Sequence, residues 1–259
     1  MNKKVKKFLN KKNRTKAICL TAYSKNVASI LDKHCDLVLV GDSLGSVLYN
    51  FKSTKEVTLD TMINHSKSVR IGVKKSLMVV DMPYNTYQNP KDALKNARLV
   101  MKKTKCDAVK LEGGKKIIPV VKSLVKNKIP VMGHLGILPQ TEKKFTYKGK
   151  KLIERNRILK DAKLLEEAGI FSVVLECIET KLAKKITEQL NIITVGIGSS
   201  ANCDGQVLVI DDLIGLSQSK FRFVKKYANV NQTINLAVKR YKSEVLKKHF
   251  PKAKHSFKN

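Results

Sequence analysis

The sequence predicts a (β/α)8 barrel, a single α/β domain over residues 1–259 with a basic N-terminal leader and a C-terminal helical extension. Three observations lead there. The length of 259 residues is close to the ~250 typical of such barrels. Eight short apolar runs alternate with helical segments of ordinary length, the pattern of a parallel sheet with crossover helices. Five of those runs end on an acid or a histidine, where a barrel gathers its functional groups. An open doubly wound sheet is the alternative, but no G-x-G-x-x-G follows the first strand.

Residues 1–16 are a lysine-rich leader, read as a helix covering the base of the barrel or as a frayed end. Residues 17–21 make the first strand. Residues 24–34 have helical spacing, with Val27, Ile30 and Leu31 on one face and Ser24 as candidate cap. Strand two is 37–40, and a helix runs from 58 to about 73. Strand three is 77–80. Asn89-Pro90, a cap followed by an N1 proline, opens a helix to 103. Strand four is 108–111, and a helix over 115–127 stops before Ile129-Pro130 and strand five. Residues 139–153 are polar and aperiodic, a candidate active-site lid. A helix over 155–168 ends at Gly169. Strand six (172–175), a helix (181–190), strand seven (192–195) and strand eight (206–210) follow. One more helix, near 231–247, makes the extension.

The formal charge is +31, with 45 lysines among 52 basic residues. Base readout and phosphate forks favour arginine, of which there are seven. The lysines are spread over every segment, and there is no tryptophan and no basic cluster interleaved with aromatics. They read as solvated helix faces, and no specific nucleic-acid partner is expected. No apolar run approaches the ~18 residues of a membrane span, and the N-terminus lacks the apolar core of a signal peptide. Five cysteines without a C-x-x-C pair suggest reduced thiols filling the core of a cytoplasmic protein.

The strand ends carry the chemistry. Val38-Leu39-Val40-Gly41 delivers Asp42, and 77–80 delivers Asp81. Residues 108–111 deliver Glu112, with Lys110 inside the rim. Val131-Met132-Gly133 delivers His134, and Val173-Val174-Leu175 delivers Glu176. Carboxylates without paired cysteines or an H-x-x-x-H helix suit a hard cation such as Mg²⁺. Four acids in one pocket repel each other, and a cation together with Lys110 relieves this. His134 stands equally as a structural histidine. Gly41, Gly113-Gly114, Gly196 and Gly198 sit where strands turn into loops and permit positive φ or close backbone approach.

These residues also carry a resemblance. Thr21-Ala22-Tyr23, Val40-Gly41-Asp42-Ser43-Leu44-Gly45, Val80-Asp81-Met82-Pro83-Tyr84, Val109-Lys110-Leu111-Glu112-Gly113-Gly114, Val131-Met132-Gly133-His134-Leu135-Gly136, Leu175-Glu176-Cys177 and Asp204-Gly205-Gln206-Val207-Leu208-Val209 resemble, in order and spacing, the motifs of the ketopantoate hydroxymethyltransferase family. So does the tail, Phe250-Pro251 with His255-Ser256-Phe257. The resemblance implies a Mg²⁺-dependent (β/α)8 enzyme. It would transfer a one-carbon unit from 5,10-methylenetetrahydrofolate to 3-methyl-2-oxobutanoate, giving 2-dehydropantoate on the way to pantothenate, and would assemble as a homodecamer. It implies that Asp42 and Asp81 bind the metal, with Glu112 in or just outside its shell. Asp42, Ser43, Asp81 and Lys110 would hold the keto acid, and Glu176 would be the general base. The chain departs from the family pattern at Ser24, at Ser199-Ser200, and after Pro139, where only Tyr147-Lys148-Gly149-Lys150 is kept. A carbon–carbon lyase or phosphonomutase acting on a 2-oxo acid without folate is the rival enzyme reading.

Overall fold

The computed structural model describes residues 2–142 and 146–257. The chain divides into two compact units, residues 1–209 and 210–259. The first begins with helix α1 (Lys3–Leu9), strand β1 (Ala17–Thr21), α2 (Lys25–Leu31), β2 (Leu37–Val40) and α3 (Leu44–Tyr49). It continues with α4 (Leu59–Gly72), β3 (Leu77–Asp81), α5 (Pro90–Thr104), β4 (Ala108–Lys110), α6 (Ile118–Lys126) and β5 (Val131–Gly136). Then come α7 (Leu152–Glu167), β6 (Ser172–Glu176), α8 (Thr180–Gln189), β7 (Ile193–Ile197) and β8 (Gly205–Leu208). The second unit holds α9 (Ile210–Leu213) and α10 (Val230–Leu246), the latter capped by Asn229, whose side chain accepts from Gln232 N at 3.1 Å. Among the described residues no helix is long and apolar enough to cross a membrane.

The eight strands close into a parallel barrel in chain order, β8 returning to β1 through Ala17↔Gly205 to Leu20↔Leu208. Side chains along a strand alternate between faces. One set, including Cys19, Leu37, Leu39, Leu77, Val79, Ala108, Met132, Val174, Ile193, Val195 and Val207, forms a single buried cluster inside the barrel. The intervening set, including Val38, Val40, Met78, Val80, Val109, Val131 and Val173, is buried as well, under the helices. Burial on both faces explains why these strands read as continuous apolar runs rather than alternating ones.

Of the two readings of the leader, the helix is the one observed. Val5 and Phe8 of α1 join the interior cluster, and Phe8 meets Phe171 edge-on at 6.2 Å. The polar groups of the leader take up the residues just before the strands. Asn2 donates to Asp107 Oδ1 at 2.8 Å, Lys4 Nζ to the Ser76 carbonyl at 2.9 Å, and Lys12 Nζ to Asp204 Oδ2 at 2.8 Å. Lys11 pairs with Asp36 at 3.0 Å. These lysines are therefore not on solvated faces: they close the base of the barrel.

Several elements match expectation. Asn89 caps α5 by accepting from Asp92 N at 2.9 Å, with Pro90 at the first helical position. Gly169 follows α7 with φ +93°. Other details differ. Ser24 occupies the N-cap of α2 without a side-chain capping bond, and α2 buries Ala28 and Leu31 while Ile30 is 61% exposed. The reason lies across the helix pair. A Cβ on Gly72 of α4 would sit 2.6 Å from Lys25 O and 2.7 Å from Ser29 N, so the two backbones meet on the small-residue face of α2. Helix α3 and a 3-10 turn at Thr54–Glu56, held by a Ser53/Glu56 capping box, were not expected from the sequence. Strand β3 runs one residue further, to Asp81, and β4 ends at Lys110. Strand β7 is 193–197, and β8 stops at Leu208 because α9 opens at Ile210. Helix α7 starts at Leu152, which shortens the expected lid; residues 143–145 of that stretch lie outside the described residues.

The α2–α4 contact is a direct test of this packing. Gly72→Ala forces the two helices apart and is expected to destabilise the protein by about 1–3 kcal/mol, read as a lower urea midpoint. An unchanged midpoint would contradict the close crossing.

Candidate active site

The last inward-facing position on four strands is polar. Two residues beyond Val79, Ala108, Met132 and Val174, the same alternation brings in Asp81, Lys110, His134 and Glu176. The apolar interior thus ends in a charged upper layer. Asp81 lies opposite Lys110 across β3 and β4, and Lys110 Nζ is 2.8 Å from Asp81 Oδ1. Asp42, two residues past β2, turns its main-chain N–H onto Asp81 Oδ2 at 3.1 Å. Glu112, two past β4, faces His134 with Oε1 3.4 Å from Nδ1. The other imidazole nitrogen, Nε2, is 3.2 Å from Glu176 Oε2. Strand β6, which carries Glu176, stands four strands round the closed barrel from β2, on the opposite wall. Ser43 is half-buried at the start of α3, its Oγ 2.8 Å from the Tyr23 hydroxyl. All the expected site residues therefore meet at one end of one barrel, and His134 is part of the group.

Charge in this layer is unbalanced. Burial, then the neighbouring Asp81 and Glu112 carboxylates, push Asp42 up to about 8. Burial opposes the charged form of Lys110, but Asp81, Glu112 and Asp42 outweigh it and raise the ammonium well above its ordinary value. Burial and Lys110 pull His134 down, yet Glu112 and Glu176 prevail and hold it at about 9. Burial also disfavours ionised Glu112; His134 and Lys110 overcome this and keep its carboxyl below the usual range. Among the described residues no group of three or more His, Cys, Asp and Glu side chains converges as a metal cage. A pair does: Asp42 and Asp81 adjoin, with Asp42 raised first by burial and then by the Asp81 and Glu112 charges. Two carboxylates, with remaining positions for water and substrate oxygens, fit Mg²⁺.

Sequence reasoning missed three contributors. Gln140, in the stretch taken for a lid, is 1% exposed and donates to Asp42 Oδ2 at 2.8 Å. Its main-chain N–H donates to Glu112 Oε2 at 3.1 Å. Both oxygens of Glu112 are therefore engaged. Tyr87 donates its hydroxyl to Gln140 Oε1 and accepts from Glu112 N at 3.3 Å. Gly136 closes β5 at φ +104°, where a Cβ would collide with the Glu176 carbonyl oxygen. Only the glycine had a visible signal, a Gly after a strand. At one departure from the family pattern, Ser199 Oγ donates to Leu175 O at 2.8 Å and accepts from Ile178 N at 2.9 Å, joining the ends of β6 and β7.

The family model described as ketopantoate hydroxymethyltransferase matches residues 2–253. The chain is 65% identical over 257 residues to the 3-methyl-2-oxobutanoate hydroxymethyltransferase of Pelagibacter ubique (strain HTCC1062), covering 99% of this chain and 100% of that one. It is 47% identical over 250 residues to the enzyme of the same name from Anaplasma marginale (strain Florida), covering 95% and 90%. Among solved structures, phosphonopyruvate hydrolase superposes with a TM-score of 0.64 at 8% identity over 99% of this chain and 92% of that one. A putative phosphonomutase from Burkholderia cenocepacia J2315 gives 0.66 at 10% identity over 93% and 100%. At such identities these two share the fold alone.

The charge layer has a signature in stability. Asp42 titrates near 8 when folded against 3.8 as a model group, so the folded state holds the extra proton and loses stability as pH rises between those values. The His134 contribution is complete below 6.5 and is lost as pH rises through about 9, in the same direction. Melting temperature in chelator is therefore expected to fall from pH 5 to pH 9, and less steeply for Asp42→Asn below pH 8. A level wild-type profile would contradict this arrangement.

Proposed function

The chain belongs to the ketopantoate hydroxymethyltransferase family, and on that premise we propose that it carries a one-carbon unit from 5,10-methylenetetrahydrofolate to C3 of 3-methyl-2-oxobutanoate, yielding 2-dehydropantoate for pantothenate synthesis. The supporting observation is the buried Lys110–Asp81 pair with Asp42 beside it, facing Glu176 across the barrel. A 2-oxo acid presents a carboxylate and a ketone oxygen on adjacent carbons. Lys110, held cationic by three acids, receives negative charge on those oxygens. Ser43, oriented by Tyr23, offers a hydroxyl to the same end of the substrate. Mg²⁺ held by Asp42 and Asp81 would supply a Lewis acid that polarises the ketone and acidifies the C3–H bond.

Glu176 takes the C3 proton as general base. It is the one carboxylate of the group on the wall opposite Asp42, 12% exposed, so it approaches C3 from the side away from Asp42. His134, protonated at neutral pH, stands between Glu112 and Glu176 and pairs in charge with both carboxyls. Glu112, held by Gln140 and His134, stands in or just outside the shell of the Asp42–Asp81 pair. Transfer makes two bonds at the methylene carbon, one to C3 and one to the oxygen of water, and breaks its two C–N bonds; the proton taken from C3 and one proton of the water go to the two folate nitrogens, and tetrahydrofolate leaves. Five buried, unpaired thiols suit a reducing cytoplasm, and the family resemblance supports a homodecamer.

Glu176→Gln is expected to retain Mg²⁺ and keto acid binding while slowing C3 proton exchange in D₂O by about 10²–10⁴-fold, followed by NMR; exchange at the wild-type rate would remove Glu176 as the base. Asp81→Asn is expected to abolish Mg²⁺ uptake in calorimetry, and EDTA should stop ketopantoate formation until Mg²⁺ is restored. Retained Mg²⁺ affinity in that variant would move the metal elsewhere.

A further inference from the structure

We propose that Gln140 is a positioning residue that fixes Asp42 and Glu112, the carboxylates following strands β2 and β4, in the orientation the cation site requires. The inference rests on the reading that Asp42 and Asp81 take the cation. A glutamine amide has two N–H donors and one acceptor oxygen. Here every one is used. Nε2 donates to Asp42 Oδ2 at 2.8 Å and to the Met82 carbonyl at 3.0 Å, while Oε1 accepts from the Tyr87 hydroxyl. These partners fix the orientation of the amide. Turning it over would set Oε1 against a carboxylate and a carbonyl, two acceptors, and would leave Tyr87 facing an N–H. The side chain is 1% exposed, so solvent cannot easily take over the hydrogen bonds if it is lost.

The consequences fall on three neighbouring strand ends. Asp42 follows β2, Met82 follows β3 and Glu112 follows β4; Gln140 reaches all three. At Asp42 it occupies Oδ2, so Oδ1 is the oxygen presented to a cation next to Asp81. At Glu112 its main-chain N–H occupies Oε2 while His134 faces Oε1. That holds Glu112 between Gln140 and His134. One residue thereby fixes Asp42 and Glu112 together.

The test measures Mg²⁺ uptake by calorimetry in the absence of substrate, together with KM and kcat for the keto acid. Gln140→Met keeps the length and volume of the side chain and removes its polar contacts; the main-chain bond to Glu112 remains. Its Mg²⁺ affinity is expected to drop by at least ~10-fold, the scale of one hydrogen bond to a charged group, with KM rising more than kcat falls. Tyr87→Phe removes only the hydroxyl that steadies Oε1 and is expected to weaken Mg²⁺ binding in the same direction by a few-fold. Wild-type affinity and KM in folded Gln140→Met overturn the inference. If that variant fails to fold, wild-type values in Tyr87→Phe overturn it instead. A purely structural role would lower the melting temperature and leave Mg²⁺ affinity alone. Wild-type protein that takes up no Mg²⁺ overturns the cation reading itself, a result distinct from equal uptake by wild type and variant.

Discussion

Four carboxylates and two cations share the upper layer of the barrel, and four of these six residues sit on strands. Charges removed from water must find partners or change their protonation. Lys110 and Asp81 form an ion pair at 2.8 Å, and His134 lies at ion-pair distance from both Glu112 and Glu176. That leaves Asp42, which burial and then the Asp81 and Glu112 carboxylates push up to about 8. The imbalance is useful. A site that was already neutral would have little attraction for a divalent ion or for the changes in charge that accompany removal of a proton from carbon.

The scaffold delivers these groups by a simple rule. Inward-facing residues recur every second position, and lower in the barrel they are apolar: Cys19, Leu37, Leu77, Ala108, Met132, Ile193. Changing only the last inward residue of a strand converts packing into chemistry without disturbing the layers beneath. Strand registry, rather than loop flexibility, then sets spacings such as Asp81 opposite Lys110 and Gly136 opposite Glu176.

That rule is also why much of the site is legible in sequence. A strand end is a local pattern, and Asp42, Asp81, Lys110, Glu112, His134 and Glu176 each follow an apolar run. The family motifs name the same positions. Pairings are another matter. Nothing local says that His134 faces Glu112 and Glu176, or that a glutamine in a polar loop folds inward to Asp42. The same limit applies to the fold. The face of α2 was misread because Ala28 meets Gly72, a residue more than forty positions away. Helix α3, six residues long, offers too few turns for periodicity to register. The leader helix was legible as one of two options, and its burial of Val5 and Phe8 decides between them.

That leader has a mechanical consequence. With Phe8 wedged against Phe171 and the polar arm of the leader fastened beneath β2, β3, β4 and β8, the cylinder is corked at its lower end. Peeling the leader away would uncover the apolar interior that Val5 and Phe8 join, so this segment is the floor of the barrel and not an appendage.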